Sequence, residues 1–380
     1  MRFTGADFVN FWNASLTTLQ GEAVHLYDPS AYSALLADRY GTDFGYRWLY
    51  PPHFLFVILP LGLMPYWTAY LTFIAISLLA FLLIGVSLWG RAKVIPWLLI
   101  APATILGVIM GQTAILVGTL FMAAVFWRDD RPVIAGFFFG LLTIKPHFGV
   151  LIPLILLVER RFLVIAIASL TAAFLMAASV LAFGADAWAS FFRNFGGAQG
   201  EVLRNTGALL TAQLSPFGAA RYAGASLQTS FLIQMIATGF AALAAIAVAL
   251  SKAERDTKNM TLIVTTYLAT PYVLSYDLVA PSFAAIWLYF GHHREQAPGL
   301  VLSILLVLVA TLSFVNGLTV AMGFSAGPLV FAALTTALFF RAREESVRAP
   351  EHQRSHRPDE TTPRASDRAF LVRESAASWR

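Results

Sequence analysis

The sequence predicts an all-α membrane protein, a polytopic helical bundle of about ten to twelve transmembrane helices with several helical hairpins. Three observations carry this. Apolar runs of about twenty residues recur along the 380-residue chain, the length that a helix needs to cross hydrocarbon. Charged residues make up 12% of it, against about 25% in a soluble domain. No ten-residue segments alternate polar with apolar, so a membrane barrel is excluded. The 31 Phe and 9 Trp suit a bundle with interfacial aromatic residues.

In chain order, residues 1–52 are mixed and polar and are expected to form a loop or short helices lying on the surface. Residues 53–340 form the membrane domain. Its apolar stretches are 53–89, 94–127, 132–158, 162–183, 229–250, 259–291 and 299–340. Several exceed one crossing: 94–127 as a single helix would measure about 50 Å against a core of about 30 Å. The long stretches carry breaks at Gly111-Gln112, Lys145-Pro146, Thr270-Pro271 and Asn316-Gly317, which predicts hairpins of two crossings each. Residues 184–228 read as a long external loop, and 341–380 as a disordered tail with little apolar periodicity.

Charge fixes the expected orientation. With the N-terminal loop outside, Arg91/Lys93, Arg128/Arg131, Arg160/Arg161, Lys252/Arg255/Lys258, Arg294 and Arg341/Arg343 all fall on the cytoplasmic side, as the positive-inside rule requires. The 132–158 stretch tests the scheme, since a single tilted span would place Arg128/Arg131 and Arg160/Arg161 on opposite sides. In the hairpin reading the breaks, the 1–52 loop and the 184–228 loop share the exoplasmic face, and the tail is cytoplasmic.

The chain has no Cys, which excludes disulfides, thiol catalysis and thiolate metal sites. No His/Asp/Glu set has metal spacing and no Gly-rich phosphate loop follows a strand, so no cofactor or metal is expected. The net charge of +5 belongs to membrane flanks and tail rather than to a nucleic-acid surface. The run Arg128-Asp129-Asp130-Arg131 lies on the other face from the remaining motifs and reads as a charged turn.

Within the apolar stretches the ionisable residues Lys145 and Asp277 stand at breaks, and charge at membrane depth is by default functional. Broken backbone is tolerated there where it lines a cavity or packs in protein. Joined to the external loops, the breaks give one constellation: Asp7, Tyr50-Pro51-Pro52-His53, Gly111-Gln112, Lys145-Pro146-His147, and Tyr272 with Tyr276-Asp277.

This constellation resembles glycosyltransferase family 87. The opening Gly5-Ala6-Asp7-Phe8-Val9-Asn10-Phe11-Trp12, then Leu26-Tyr27-Asp28, Tyr50-Pro51-Pro52, Gly111-Gln112, Lys145-Pro146 and Thr270-Pro271-Tyr272 with Tyr276-Asp277 are similar to that family's motifs in order and spacing. The family includes the mycobacterial polyprenyl-phosphate-mannose-dependent α-1,2-mannosyltransferases and belongs to the GT-C superfamily. The resemblance implies a bacterial inner membrane, a periplasmic active site, a polyprenyl-phosphate sugar as donor, a lipid or glycan as acceptor, and Asp7 as catalytic base. In the family a first transmembrane helix precedes that Asp. The expectation is that such a helix lies upstream of Met1, or that this chain inserts through its first hairpin.

The chemistry is coherent without the family. A lipid phosphate leaves as an anion and needs no general acid, so one carboxylate that deprotonates the acceptor hydroxyl suffices, and a single attack inverts the anomeric centre. The departing phosphate needs cations or N–H donors. Lys145 is the expected contact, with Arg193, Arg204 or Arg221 as helpers. His53, His147, Gln112, Tyr50, Tyr276 and Asp277 are the other expected donor contacts, and Trp12, Trp48 and Tyr50 are candidates for the floor of the sugar.

Bland alternatives stand beside these roles. Asp7 can cap the helix starting near Phe8, and Lys145 can snorkel from a helix end. Asp277 can bond N–H groups freed by Pro271, Gln112 can seal a helix end, and both histidines can be packing residues. Asp28 before Pro29 reads as a turn residue. Broken helices holding a buried cation and anion also fit a secondary transporter, the rival function.

Overall fold

The structure is a computed structural model that describes residues 7–41, 46–90, 92–204, 209–290 and 298–355. Its helices, in chain order, are α1 (Phe8–Leu19), α2 (Pro29–Tyr40), α3 (Tyr66–Trp89), α4 (Pro102–Met110), α5 (Ala114–Trp127), α6 (Pro132–Leu141), α7 (Ile152–Val158), α8 (Phe162–Phe183), α9 (Ala185–Arg204), α10 (Leu227–Leu250), α11 (Arg255–Ala269), α12 (Val279–Phe290), α13 (Leu300–Ala321) and α14 (Gly327–Ser355). Shorter helical turns join them. Among the described residues there is no β-strand beyond one isolated bridge, Gln213 to Leu274. The chain is an all-α membrane bundle, as its composition predicts.

By length and composition α3, α8, α10 and α13 can each cross a bilayer alone. The segment Ala92–Ile100 with α4, bent by 62°, makes up to 5. Proline explains the bend: Pro102 supplies no N–H to the preceding turn, and Ala101 before it is held extended. The other apolar segments, Pro52–Leu63, α5, Pro132–Ile144 and Pro146–Val158, fall in the range of 10–17 residues and are too short for a full crossing. The span count by length is therefore below the ten to twelve expected, because the hairpin arms are broken pieces.

Three of these pieces and α11 run between the same two levels. The 14 residues of α5 begin beside Gln112 and end at Arg128. The 15 residues of α11 run from Arg255 to the Thr270-Pro271 break. Pro132–Ile144 leads from Arg131 to Lys145, and Pro146–Val158 returns to Glu159.

At the Arg128 end the charges interlock. The buried Arg128 guanidinium (1% exposed) donates to both carboxylate oxygens of Glu159, at 2.9 and 3.0 Å, and also to Asn259. Arg161 binds Asp129, while Arg255 reaches Asp129 and Asp130. The two ends of 132–158 thus lie together, so this stretch is a hairpin and not one tilted span. The Arg-Asp-Asp-Arg run is more than a solvated turn, since Arg128 locks three loops.

With the charged end at one interface, α5 and α11 reach only about 21–23 Å into a core of about 30 Å. The broken end therefore stops about 7–9 Å short of the other interface, whereas the helices of 22 and 24 residues span the whole thickness. The broken end gathers Asp7, Gln112, Lys145 and Asp277.

Four expectations change. The 1–52 region does not simply lie on the surface: Phe8 and Phe11 are fully buried among Tyr66, Tyr70 and Phe73 and among Trp48, Tyr50 and Phe54. Its polar side is satisfied from α2, by Tyr32 on Asn10 and by Arg39 on Asn13 and Thr17. The 184–228 loop is largely helical, containing α9 and Pro216–Tyr222.

The last hairpin breaks at 322–326 and not at Asn316-Gly317. There α13 continues to Ala321, and the Asn316 amide oxygen accepts from Ser325 Oγ and Ala326 N across the true break. The polar pair that reads as a turn is a helix residue holding one. In addition, α14 continues to Ser355, so the tail begins later than Arg341. Residues 356–380 lie outside the described residues, as do Arg91 and Arg294 of the charge scheme.

The hairpin has a direct check, because the chain has no Cys of its own. Asp130→Cys and Arg160→Cys, each introduced singly, are expected to react with a membrane-impermeant thiol reagent from the same side. Reaction from opposite sides would restore the tilted span.

Candidate functional site at the helix breaks

The breaks at 111–113, 145–146 and 270–277 meet at one end of the bundle, and each is closed by polar groups from another segment. At the first, Gly111 takes φ +69°, a left-handed conformation that ends α4. The backbone N–H of Asp7 donates to Met110 O at 3.1 Å, so the start of α1 is fastened to this turn. A Cβ on Gly111 would stand 2.6 Å from Phe8 Cβ and 3.0 Å from the Tyr70 ring. Glycine is needed here for close approach as well as for φ.

Asp7 does not use its side chain as a helix cap. Its Oδ2 accepts from Gln112 Nε2 at 2.8 Å instead. This removes the capping alternative and supplies a partner 105 residues away. The Gln112 amide is oriented in turn: its Oε1 accepts from Thr113 N at 3.3 Å and from Tyr50 OH at 3.4 Å, and Tyr50 also pairs with Thr113 Oγ1 at 2.9 Å. Gln112 thus seals a helix end and holds Asp7 at once.

Burial raises the pKa of the Asp7 carboxyl, while the Gln112 hydrogen bond and the Lys145 charge pull it down and the Asp277 charge pushes it up. Both members of the neighbouring ion pair therefore act on Asp7.

Lys145, 6% exposed, does not snorkel. Its ammonium donates to Asp277 Oδ1 at 2.7 Å and lies 5.7 Å from the centre of the Tyr276 ring. The other Asp277 oxygen accepts from Leu274 N at 3.1 Å, in the turn that follows Pro271. Tyr267 OH donates to Asp277 O at 2.7 Å. The last carbonyls of α11, which Pro271 leaves without continuation, are taken by α10: Gln234 Nε2 donates to Leu268 O and Ala269 O, and Thr238 Oγ1 to Ala269 O. Ser215 Oγ donates to Pro271 O at 2.7 Å, and Leu214 N to Val273 O. Broken backbone at this depth is packed in protein, as the low dielectric demands.

Two histidines flank the Lys145 break. His53, 6% exposed, pairs through Nε2 with Thr143 Oγ1 at 3.2 Å and stacks on Trp188 of α9. His147 sets its ring edge-on to Tyr272. His53 Nδ1 and His147 Nε2 are buried with no hydrogen-bond partner. Orphaned buried polar atoms are rare enough in folded proteins to need a reason, and a ligand is one.

The arginines of the 184–228 segment do not join this cluster. Arg193 is exposed on α9 and donates to Ser190 Oγ, while Arg221 donates to Ala225 O. The Arg204 side chain lies outside the described residues. Trp48 is 4% exposed, wedged between Phe11 and Phe54, and Trp12 is tied through Nε1 to Met64 O at 3.0 Å. Both are packing residues here rather than a sugar floor. Asp28 caps α2 by accepting from Ser30 N and Ala31 N. Sequence reading missed Thr113, Thr143 and Gln234. Each is an uncharged residue next to apolar helix sequence, so nothing local distinguishes it.

Among the described residues no group of three or more His, Asp or Glu is placed to hold a metal ion. What the arrangement offers is a partly buried carboxylate beside an ion-paired ammonium. That ammonium has three donors, of which Asp277 takes one.

The model of glycosyltransferase family 87 matches residues 48–274, which hold Tyr50, His53, Gln112, Lys145 and His147, while Asp7 and Asp277 flank the matched segment. No curated protein and no solved structure matches the chain significantly.

Two stability measurements test the site's construction. Gly111→Ala is expected to lower stability by about 1–3 kcal/mol through overpacking against Phe8 and Tyr70, read as a fall in melting temperature in detergent. Lys145→Met alone leaves Asp277 charged and buried, at a cost of about 3–5 kcal/mol. Lys145→Met with Asp277→Leu is expected to recover most of that loss, and a double variant no better than the single would deny the coupling.

Proposed function

The chain belongs to glycosyltransferase family 87 and is a membrane glycosyltransferase, and from that premise we propose the donor, the mechanism and the residue roles. The reading is that it transfers a hexose, mannose in the first instance, from a polyprenyl-phosphate carrier to an acceptor hydroxyl on a lipid or glycan, with inversion. The site faces the periplasm of a bacterial inner membrane, with the charged Arg128 end and the C-terminal tail in the cytoplasm. The distribution of Lys and Arg supports this orientation. The transporter alternative explains neither the family match nor a second carboxylate held outside the ion pair.

Asp7 is the base. The observation that carries this role is the Gln112 hydrogen bond to Asp7 Oδ2, since an amide engaging one carboxylate oxygen orients the group and leaves Oδ1 to a hydroxyl. As the acceptor oxygen attacks the anomeric carbon, its proton passes to Asp7, and the bond to the phosphate oxygen breaks with the electron pair on phosphate. The leaving group is already an anion, so no acid is required. The two remaining N–H donors of Lys145 stabilise the phosphate charge. His147 Nε2 and His53 Nδ1, without partners in the structure, are the next contacts for donor or sugar. Tyr50 and Tyr276 border the same space. The depth of the site, short of the far interface, suits a donor whose phosphate sits at the membrane border.

Asp7→Asn is expected to lower the rate of transfer from a radiolabelled polyprenyl-phosphate hexose about 10²–10⁴-fold, with donor binding retained. Transfer at the wild-type rate would remove Asp7 from the mechanism. The base works ionised, so kcat/KM falls as pH drops through the pKa of Asp7. Burial sets that limb above the ordinary aspartate value of 3.8. Gln112→Leu removes a bond that favours the charged form, so the limb is expected to move further up. A limb that moves down or stays would separate Gln112 from the base.

A further inference from the structure

Away from the helix breaks, at the charged end of the bundle, a cavity of about 450 Å³ opens between the end of α10 and the middle of α14. Leu250, Lys252, Phe339, Arg343, Ser346 and Val347 line it. Both helices leave the apolar layer here at the same level. Helix α10 is a candidate span that ends at Leu250, and the apolar part of α14 ends at Phe340 before Arg341. The two ends are tied: Lys252 N donates to Ser346 Oγ at 3.1 Å, and Glu254 N to Glu345 Oε2 at 2.9 Å.

The walls are of two kinds. On the lipid side Leu250 is 68% exposed, and Phe340, the chain neighbour of the lining Phe339, is 55% exposed. On the aqueous side stand two cations. Arg343 lies over the Phe339 ring, 6.0 Å from its centre. The neighbouring carboxylates are committed elsewhere: Arg341 pairs with Glu254 at 3.8 Å and with Glu345 at 2.7 Å. Among the described residues neither Lys252 nor Arg343 has a carboxylate within ion-pair distance.

Nor is Lys252 needed to close the helix. The last carbonyls of α10 are already bonded, Val248 O by Ser251 N and Oγ, and Ala249 O by Lys258 Nζ at 3.0 Å. What remains is an open apolar cleft at an interface, with two uncommitted cations on its rim.

We propose that this cleft binds one anionic phospholipid, its phosphate between Lys252 and Arg343 and the start of its acyl chains against Leu250 and Phe339. Charge complementarity selects the occupant. A zwitterionic lipid brings its own cation to the same rim, whereas an anionic headgroup meets two positive charges. Basic pockets between membrane helices at this level bind such headgroups. The site is separate from the transfer chemistry and does not depend on the donor assignment.

The test uses the full chain in nanodiscs of equal phosphatidylcholine and phosphatidylglycerol, with retained lipid read by native mass spectrometry. The wild type is expected to keep one phosphatidylglycerol in preference to phosphatidylcholine. Lys252→Gln with Arg343→Gln is expected to weaken it about thirtyfold, two surface cations' worth. Arg131→Gln, which removes a cation outside the cleft, is expected to keep it. A wild type that retains both lipids equally, or a double variant that holds phosphatidylglycerol as tightly, overturns the proposal.

A photoactivatable phosphatidylglycerol needs no variant. It is expected to label peptides spanning 247–252 and 339–347 above its phosphatidylcholine analogue, and equal labelling by the two would count against the site.

Discussion

The pairing of Lys145 with Asp277 is the interaction on which the rest of the bundle depends. Each charge sits at the break of a different hairpin, 132 residues apart in the chain, and each is nearly sealed from solvent. Neither could be buried alone, because removing a charge from water costs several kcal/mol and the interior returns that cost only to a paired and hydrogen-bonded group. Asp277 meets the requirement with both oxygens, one on the ammonium and one on the Leu274 N–H. The pair therefore sets the register of two hairpins and places two helix breaks side by side. A break needs backbone partners at membrane depth, so Gln234, Thr238 and Ser215 follow from the same constraint.

The first break is built differently and for a different purpose. Its glycine admits the start of α1 to within contact of the turn, and the Asp7 carboxylate comes to rest on Gln112 rather than on a cation. The site therefore holds two carboxylates in unlike settings. Asp277 is neutralised by its lysine and held from two sides. Asp7 has an amide partner and is influenced by the same lysine only through space. Burial raises the pKa of the Asp7 carboxyl above the ordinary aspartate value, and the ion pair in the first setting leaves an ammonium fixed beside it. The difference between the two settings is a consequence of where the helices break.

The opposite end of the same short helices is held by a denser network in which Arg128, Glu159, Asp129 and Arg255 fasten three loops. With both ends fixed, α5 and α11 act as struts of about 21–23 Å between two polar layers. Strut length determines how far below the far surface the site lies. It also explains why α1, α9 and the 212–218 segment gather over that end, where buried polar groups have to be kept from the lipid. Aromatic packing serves this cover: Phe8 and Phe11 anchor α1, and Trp188 joins α9 to His53.

How much of this was legible in the sequence follows from the range of each signal. Hydropathy and charge act locally, so the helical class, the hairpin at Lys145-Pro146 and the common side of the basic loops could all be read directly. Gly111, Pro146 and Pro271 mark breaks because each alters the backbone at its own position. Asn316-Gly317 carries a similar mark and misleads, since the asparagine stays helical and reaches across to Ser325 and Ala326. The convergence of Asp7, Gln112, Lys145 and Asp277 on one end was also foreseeable, because helices joined as hairpins return to the same face.

The partners were not. That Asp7 binds Gln112 and not its own helix, that Lys145 is claimed by Asp277, that Arg193 and Arg221 stay apart, and that Trp48 is core rather than floor depend on side-chain positions set by packing between distant segments. The sequence by itself determined which residues had to be kept from lipid and at which end. Only the tertiary structure decided which of them meet, because a contact across 105 or 132 residues is fixed by the helices between them and leaves no local trace.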